Sequence, residues 1–136
     1  MTTLTGGAGA DIFDYDAQAE SSTGVATIDQ ILDFVSGTDA IDVDFATMFA
    51  GIVAANPAGG SDGNGLNFAG NQASFGQAQG ATTQNDGIID YVFQTDTNTL
   101  WVDVNDDGTL NGNDLQITLV GVNAIAQFDV IDNLAV

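Results

Sequence analysis

Two stretches of this chain combine residue types and spacings that suit a hard divalent cation. Gly6-Gly7-Ala8-Gly9-Ala10-Asp11-Ile12-Phe13-Asp14 fits every position of the nonapeptide G-G-x-G-x-D-x-U-x, where U is a large apolar residue. Glycines allow a turn tight enough for backbone carbonyls, here those of Gly6, Ala8 and Gly9, to face one ion. Asp11 adds a charged oxygen and Phe13 packs inward. Further along, Asp103-Val104-Asn105-Asp106-Asp107-Gly108-Thr109-Leu110-Asn111-Gly112-Asn113-Asp114 aligns on a calcium loop of EF-hand type. Oxygens fall at position 1 (Asp103), 3 (Asn105), 5 (Asp107), 7 (the Thr109 carbonyl), 9 (Asn111) and 12 (Asp114). Gly108 takes position 6, where the turn is sharp, and Leu110 the apolar position 8. Asp in place of Glu at position 12 shortens that arm, so it ligates through one oxygen or a water.

The nonapeptide alone completes no site. In a parallel β-roll each ion lies between successive turns, so one repeat supplies half a coordination shell. The other half must come from a following segment or from a neighbouring molecule. Asp29, Asp33, Gly37, Asp39 and Asp42 are the candidates that follow, with Asp29 and Asp33 flanking Ile31 on one strand face. Acids this close repel one another unless a cation lies among them, and calcium suits short carboxylates.

Composition points the same way. The 136 residues include 19 acids, all Asp except Glu20, and no Lys, Arg, His or Cys, for a formal net charge of −19. No surface can therefore release counterions from nucleic acid or attract anionic lipid. A Ser/His/Asp triad, a Cys nucleophile, a Lys Schiff base and a His-ligated zinc each lack a part. A carboxylate pair could in principle do acid–base work. Nearly every Asp lies in a turn or calcium-type loop, however, and the expectation is a protein that is not an enzyme. No disulfide can staple the fold. Yet the hydrophobic content of 44% is that of a folded chain. The repulsion must be met from outside, and calcium ions are the expected cofactor.

The elements that would position these ligands read as mostly β with a single helix. Strand patterns cover residues 12–15, 26–34, 41–43, 88–94, 99–104, 115–120 and 127–131. Phe45, Met48, Phe49, Ile52 and Val53 recur at helical spacing, which predicts an amphipathic helix over about 45–55, with Asp44 as N-cap and Pro57 closing it. Residues 56–87, rich in Gly, Asn, Gln and Ala, read as loop with a strand at 66–69. Strands flank the 103–114 loop, so it reads as structural rather than as a helix-opening sensor. The N-terminal residues have neither the charged nor the apolar region of a cleavable signal peptide.

Four features in order resemble the C-terminal module of RTX (repeats-in-toxin) proteins, closest to that of serralysin-type metalloproteases. They are residues 6–13; Asp29 through Asp42; Thr99 through Gly108 with Leu115 through Gly121; and the tail Phe128-Asp129-Val130-Ile131 with Asp132-Asn133-Leu134-Ala135-Val136. The resemblance implies one domain over 1–136. Residues 1–44 form a short parallel β-roll-like calcium part, 45–55 the helix and 56–87 a loop-rich stretch. Residues 88–136 form an antiparallel β-sandwich or roll that holds the EF-hand-type loop and an uncleaved export signal. It also implies transient engagement of a type I secretion exporter and folding on extracellular calcium, outside the cell or at its surface. The protease zinc motif is absent, so no protease activity carries over.

If Met1 is a native start, the chain is expected to be a structural, self-assembling component of a surface layer, filament or biofilm matrix, stacking head-to-tail through its half-built N-terminal site. The alternative is the C-terminal secretion and folding module of a larger secreted hydrolase or adhesin.

Overall fold

Short runs with apolar residues at alternate positions make strands that are stable only when stacked on neighbours. The computed structural model describes residues 2–17, 20–21, 28–44, 60–61, 65–82 and 86–132. Strand β1 (Thr3–Leu4) passes through the glycine turn into β2 (Ile12–Tyr15), and β3 (Asp29–Ile31) passes through a second turn into β4 (Ala40–Val43). Then come β5 (Leu66–Gln72), helix α1 (Phe75–Ala81), β6 (Ile89–Gln94) and β7 (Thr99–Val102). Strands β8 (Leu115–Leu119) and β9 (Val130–Ile131) close the described chain.

Strands β1, β3 and β8 lie parallel in one sheet, and β2, β4 and β9 lie parallel in the other. Each strand–turn–strand unit is thus one rung of a parallel roll, and the described residues build three. The third rung comes from the C-terminal segment, after a long insertion. That insertion extends the first sheet: β8 pairs antiparallel with β7, β7 with β6, and β5 runs parallel to β6 at the far edge.

The roll interior holds Phe13, Tyr15, Ile31, Ile41, Val43, Ile117, Leu119 and Val130, the inward members of each alternating strand. Strand β6 is buried along its whole length. Ile89, Tyr91 and Phe93 face the main core, while Val92 meets Ala78 of α1 and Leu110 in a second, smaller core. Its polar members keep partners: Asn67 Nδ2 donates to Asp90, and Gln94 Oε1 accepts from the Trp101 indole.

The mainly β expectation is borne out, with a parallel roll that is longer and an antiparallel part that is smaller than the sequence suggests. The 127–131 strand shrinks to β9, and the described part of the 26–34 strand to β3. The helix expected over 45–55 lies outside the described residues. In the stretch 56–87, read as loop with a strand at 66–69, the described residues carry that strand as the longer β5 and add α1. Helix α1 has no apolar stripe: only Ala78 is buried, and Gly76 and Gly80 are poor helix formers. Tertiary contact and the Ser74 cap on the Gln77 amide hold it. Gly70, at φ 91°, breaks the β5 register between Phe68 and Asn71.

This break turns the Asn71 side chain toward the third rung. Its Nδ2 donates to the Ile125 carbonyl (3.0 Å) and its Oδ1 accepts the Ile125 amide (2.8 Å), so a carboxamide acts as a strand partner for the 120–129 connection. Asn71→Ala should therefore destabilise the fold by about 1–3 kcal/mol in a urea titration. It should also speed hydrogen exchange at the Ile125 amide, while amides of β2 and β4 keep their relative protection.

Candidate metal centre

The first turn depends on the bare Cα of Gly6. A Cβ placed there would lie 2.6 Å from a carboxylate oxygen of Asp11, so the Asp11 side chain folds onto the glycine. Gly7 and Gly9 adopt φ of 101° and 117°, which L side chains avoid. The second turn docks against the first through carboxylates. Asp33 accepts the amides of Gly6 (2.9 Å) and Gly7 (2.8 Å), and these bonds hold its carboxyl below the usual range. Asp39 accepts the amides of Asp11 (3.1 Å) and Val35 (2.8 Å). Asp129, from the third rung, accepts Gly37 N (2.9 Å), Ser36 Oγ (2.5 Å) and Ala126 N (2.8 Å). Successive turns are thus cross-tied, each carboxylate capping amides of the turn beside it. Within this stack the buried Oδ2 of Asp11 has no hydrogen-bond partner.

The 103–114 loop leaves β7 and returns into β8, so the two ends of the loop are fixed by one antiparallel ladder. Gly108, at φ 73°, makes the sharp turn at position 6. Its amide donates to Asp103 Oδ2 (2.9 Å), and the Asn111 amide donates to Asp114 Oδ2 (2.8 Å). Asp107 accepts from Asn105 Nδ2 and from the Thr109 amide, and Asn111 Nδ2 donates to the Thr109 carbonyl. Asp103 is 1% exposed and Asp114 0%, yet the Oδ1 atoms of both are buried without a hydrogen-bond partner. Burial pushes Asp103 up to about 6, with the charges of Asp107 and Asp106 adding to it. It pushes Asp114 up to about 7, with Asp103 and Asp107 adding.

Two desolvated carboxylate oxygens with no donor are an unstable arrangement unless protonated or bound to a cation. Holding Asp114 ionised in this setting costs on the order of 4 kcal/mol, more than one neutral hydrogen bond returns. The donor set is all oxygen and carboxylate-rich, which fits calcium and not a soft metal. Among the described residues no three carboxylates close on one point. The side chains of Asp103 and Asp114 would hold the ion together with Asn105, Asn111 and the Thr109 carbonyl, and Asp107 at the exposed rim. Calcium bound there would neutralise the paired acids and fix both ends of the loop.

The structure brings Asp103, Asn105, Asp107, Thr109, Asn111 and Asp114 into one loop. It places Gly6, Ala8, Gly9 and Asp11 in the first turn, with Asp33, Gly37 and Asp39 in the second turn beside it. Asp29 stands apart on β3, where its Oδ1 accepts the Thr2 amide (2.8 Å). Asp42 is buried on β4, in register with Asp14 of β2. Sequence reasoning missed Asp129 as a member of the turn stack. A signal existed: Asp-x-apolar-Asp recurs at Asp11, Asp39 and Asp129, each time leading into a strand of the three-stranded sheet. It also missed Asp90, desolvated and pushed up to about 6 behind the loop, where its carbonyl accepts the Asp103 amide.

The family model described as Peptidase M10 serralysin C terminal matches residues 3–132, and the chain belongs to that family. C-terminal domains of this family are generally calcium-binding modules of the RTX type with a β-roll, and membership implies export by type I secretion. No curated protein matches the chain. Among the described residues no helix is long and apolar enough to cross a membrane.

The raised carboxyls set a pH dependence. A folded-state value above the unfolded 3.8 means that stability is present below 3.8 and lost as pH rises through about 6 (Asp103) and about 7 (Asp114). In chelator, the folded fraction read by circular dichroism should therefore grow as pH falls from 8 to 5, while calcium affinity weakens because protons compete for the same oxygens. Asp114→Asn should separate the two effects at pH 8. It should raise the folded fraction in chelator and lower calcium affinity by about tenfold or more in calorimetry.

Proposed function

We propose that this serralysin-type C-terminal module is a secreted calcium-binding protein that stays unfolded where calcium is scarce and folds on calcium outside the cell or at its surface. The observation that carries this reading is the pair of buried, donorless oxygens on Asp103 and Asp114 in a loop with calcium spacing. The charge of −19 with no basic side chain supports it, because bound ions can neutralise acids that no side-chain cation meets. The module carries no catalysis of its own. Its transient partner is a type I exporter, which a chain without calcium can enter unfolded.

The preferred role is structural, as a self-assembling component of a surface layer, filament or biofilm matrix. Strand β1 ends the six-stranded sheet and β2 ends the three-stranded one, so the first rung presents two strand edges on the same side. A further turn added there continues both sheets at once. That turn comes from a second copy in the preferred reading. It comes from preceding residues of a larger secreted hydrolase or adhesin in the alternative reading, where the module serves export and folding.

The test is a melt and a sizing measurement on the full chain. In chelator the chain should be largely unfolded and monomeric. At millimolar calcium it should gain β circular dichroism, with Asp11→Ala and Asp107→Ala each needing more calcium. Equal melting temperatures in chelator and calcium would overturn the calcium reading. A strict monomer by light scattering at millimolar calcium would overturn self-assembly and leave the alternative.

A further inference from the structure

We infer that Gln79, on helix α1, is a positioning residue for the 103–114 calcium loop: its carboxamide clamps the loop backbone so that the Thr109 carbonyl faces the ion. The inference rests on the calcium reading of that loop and adds to it a residue that is distant in sequence and contributes no ligand.

Gln79 makes two bonds to one short stretch. Its Nε2 donates to the Gly108 carbonyl (2.8 Å), and its Oε1 accepts the Leu110 amide (2.7 Å). These groups flank Thr109 and belong to the peptide units on either side of it. A trans peptide is planar, with its N–H and C=O pointing in opposite directions. Anchoring the Leu110 N–H on Gln79 therefore turns the Thr109 C=O to the opposite side, where it accepts from Asn111 Nδ2 (2.9 Å). Position 7, the single backbone ligand of the loop, is thus aimed by a side chain from α1. The Gly108 amide meanwhile donates to Asp103 Oδ2, so the same clamp also bears on the carboxylate at position 1.

The packing around the clamp supports a dedicated contact. Leu110 is buried against Ala78 and Val92, with Trp101 packed alongside. Phe75, at the start of α1, lies with its ring centroid 5.5 Å from that of Trp101. A seven-residue helix with Gly76 and Gly80 inside it has little stability of its own. It is held in place by Leu110, Trp101 and the two Gln79 bonds, so the clamp couples helix and loop in both directions.

The test compares the 136-residue chain with Gln79 intact against Gln79→Met, which keeps length and helix propensity but loses both bonds, and Gln79→Glu, which keeps the acceptor for Leu110 and loses the donor to Gly108. Asn71→Ala, which removes a two-bond carboxamide elsewhere, is the control. All are made in an Asp11→Ala background, and calcium binding is read by calorimetry. Inner-sphere waters are counted from europium luminescence lifetimes in H2O and D2O. Gln79→Met should bind calcium about tenfold more weakly and gain about one bound water, as expected when an outer contact orients a ligand. Gln79→Glu should fall between it and the wild type in both readings. An unchanged water count in Gln79→Met overturns the inference, as does an equal gain of bound water in Asn71→Ala, whose weaker calcium binding reflects lost stability alone. If Gln79→Met fails to fold, Gln79→Glu decides alone by the same two readings. A background chain that binds neither calcium nor europium overturns the calcium reading of the loop itself, and the clamp with it.

Discussion

The constraint from which the rest follows is the absence of any cationic side chain. Acids withdrawn from water must find donors among backbone amides, carboxamides and hydroxyls, or else share an ion. Where turns stack, local donors meet most of the demand: Asp33, Asp39 and Asp129 each accept two or more, at least one of them from a neighbouring turn. Where a carboxylate is buried in the loop, as at Asp103 and Asp114, the local geometry leaves one of its two oxygens without a partner. Calcium chemistry belongs where the supply of N–H groups runs out.

Neutral carboxamides take over the work that Arg and Lys do elsewhere. Asn71 ties β5 to the third rung, Asn67 meets buried Asp90, Gln94 bridges Asp96 and the Trp101 indole, and Asn98 reaches the Val122 carbonyl. A carboxamide both donates and accepts, so it can substitute for a strand edge, which no ammonium group can do. This explains how a long insertion between the second and third rungs stays attached to the roll without a single basic residue.

Legibility in the sequence tracked how local each feature is. The 103–114 loop and the first turn were readable because ligand spacing and glycine placement lie within a dozen consecutive residues. Most strands were readable from short runs of apolar, β-branched and aromatic residues between turn signals. Helix α1 was not, since Ala78 is its sole buried residue and its glycines argue against it. A carboxylate that caps amides looks identical in sequence to one that binds an ion, so Asp33 and Asp39 could be placed near the first turn without their partners being known. Gln79 carries no local signal at all, because what it touches lies 29 and 31 positions away.

Strand β8 has a consequence for how the molecule comes together. It lies between β3 and β7, so the strand at the middle of the six-stranded sheet is among the last in the chain. Ser21 and Gln116, 95 positions apart, bond across this junction. The first two rungs and the β6–β7 hairpin can each form early, but neither can join the other until β8 slots between them. Assembly is therefore a keystone insertion with high contact order, on the order of milliseconds to seconds rather than microseconds. Until β8 is in place, the facing edges of β3 and β7 lie unpaired.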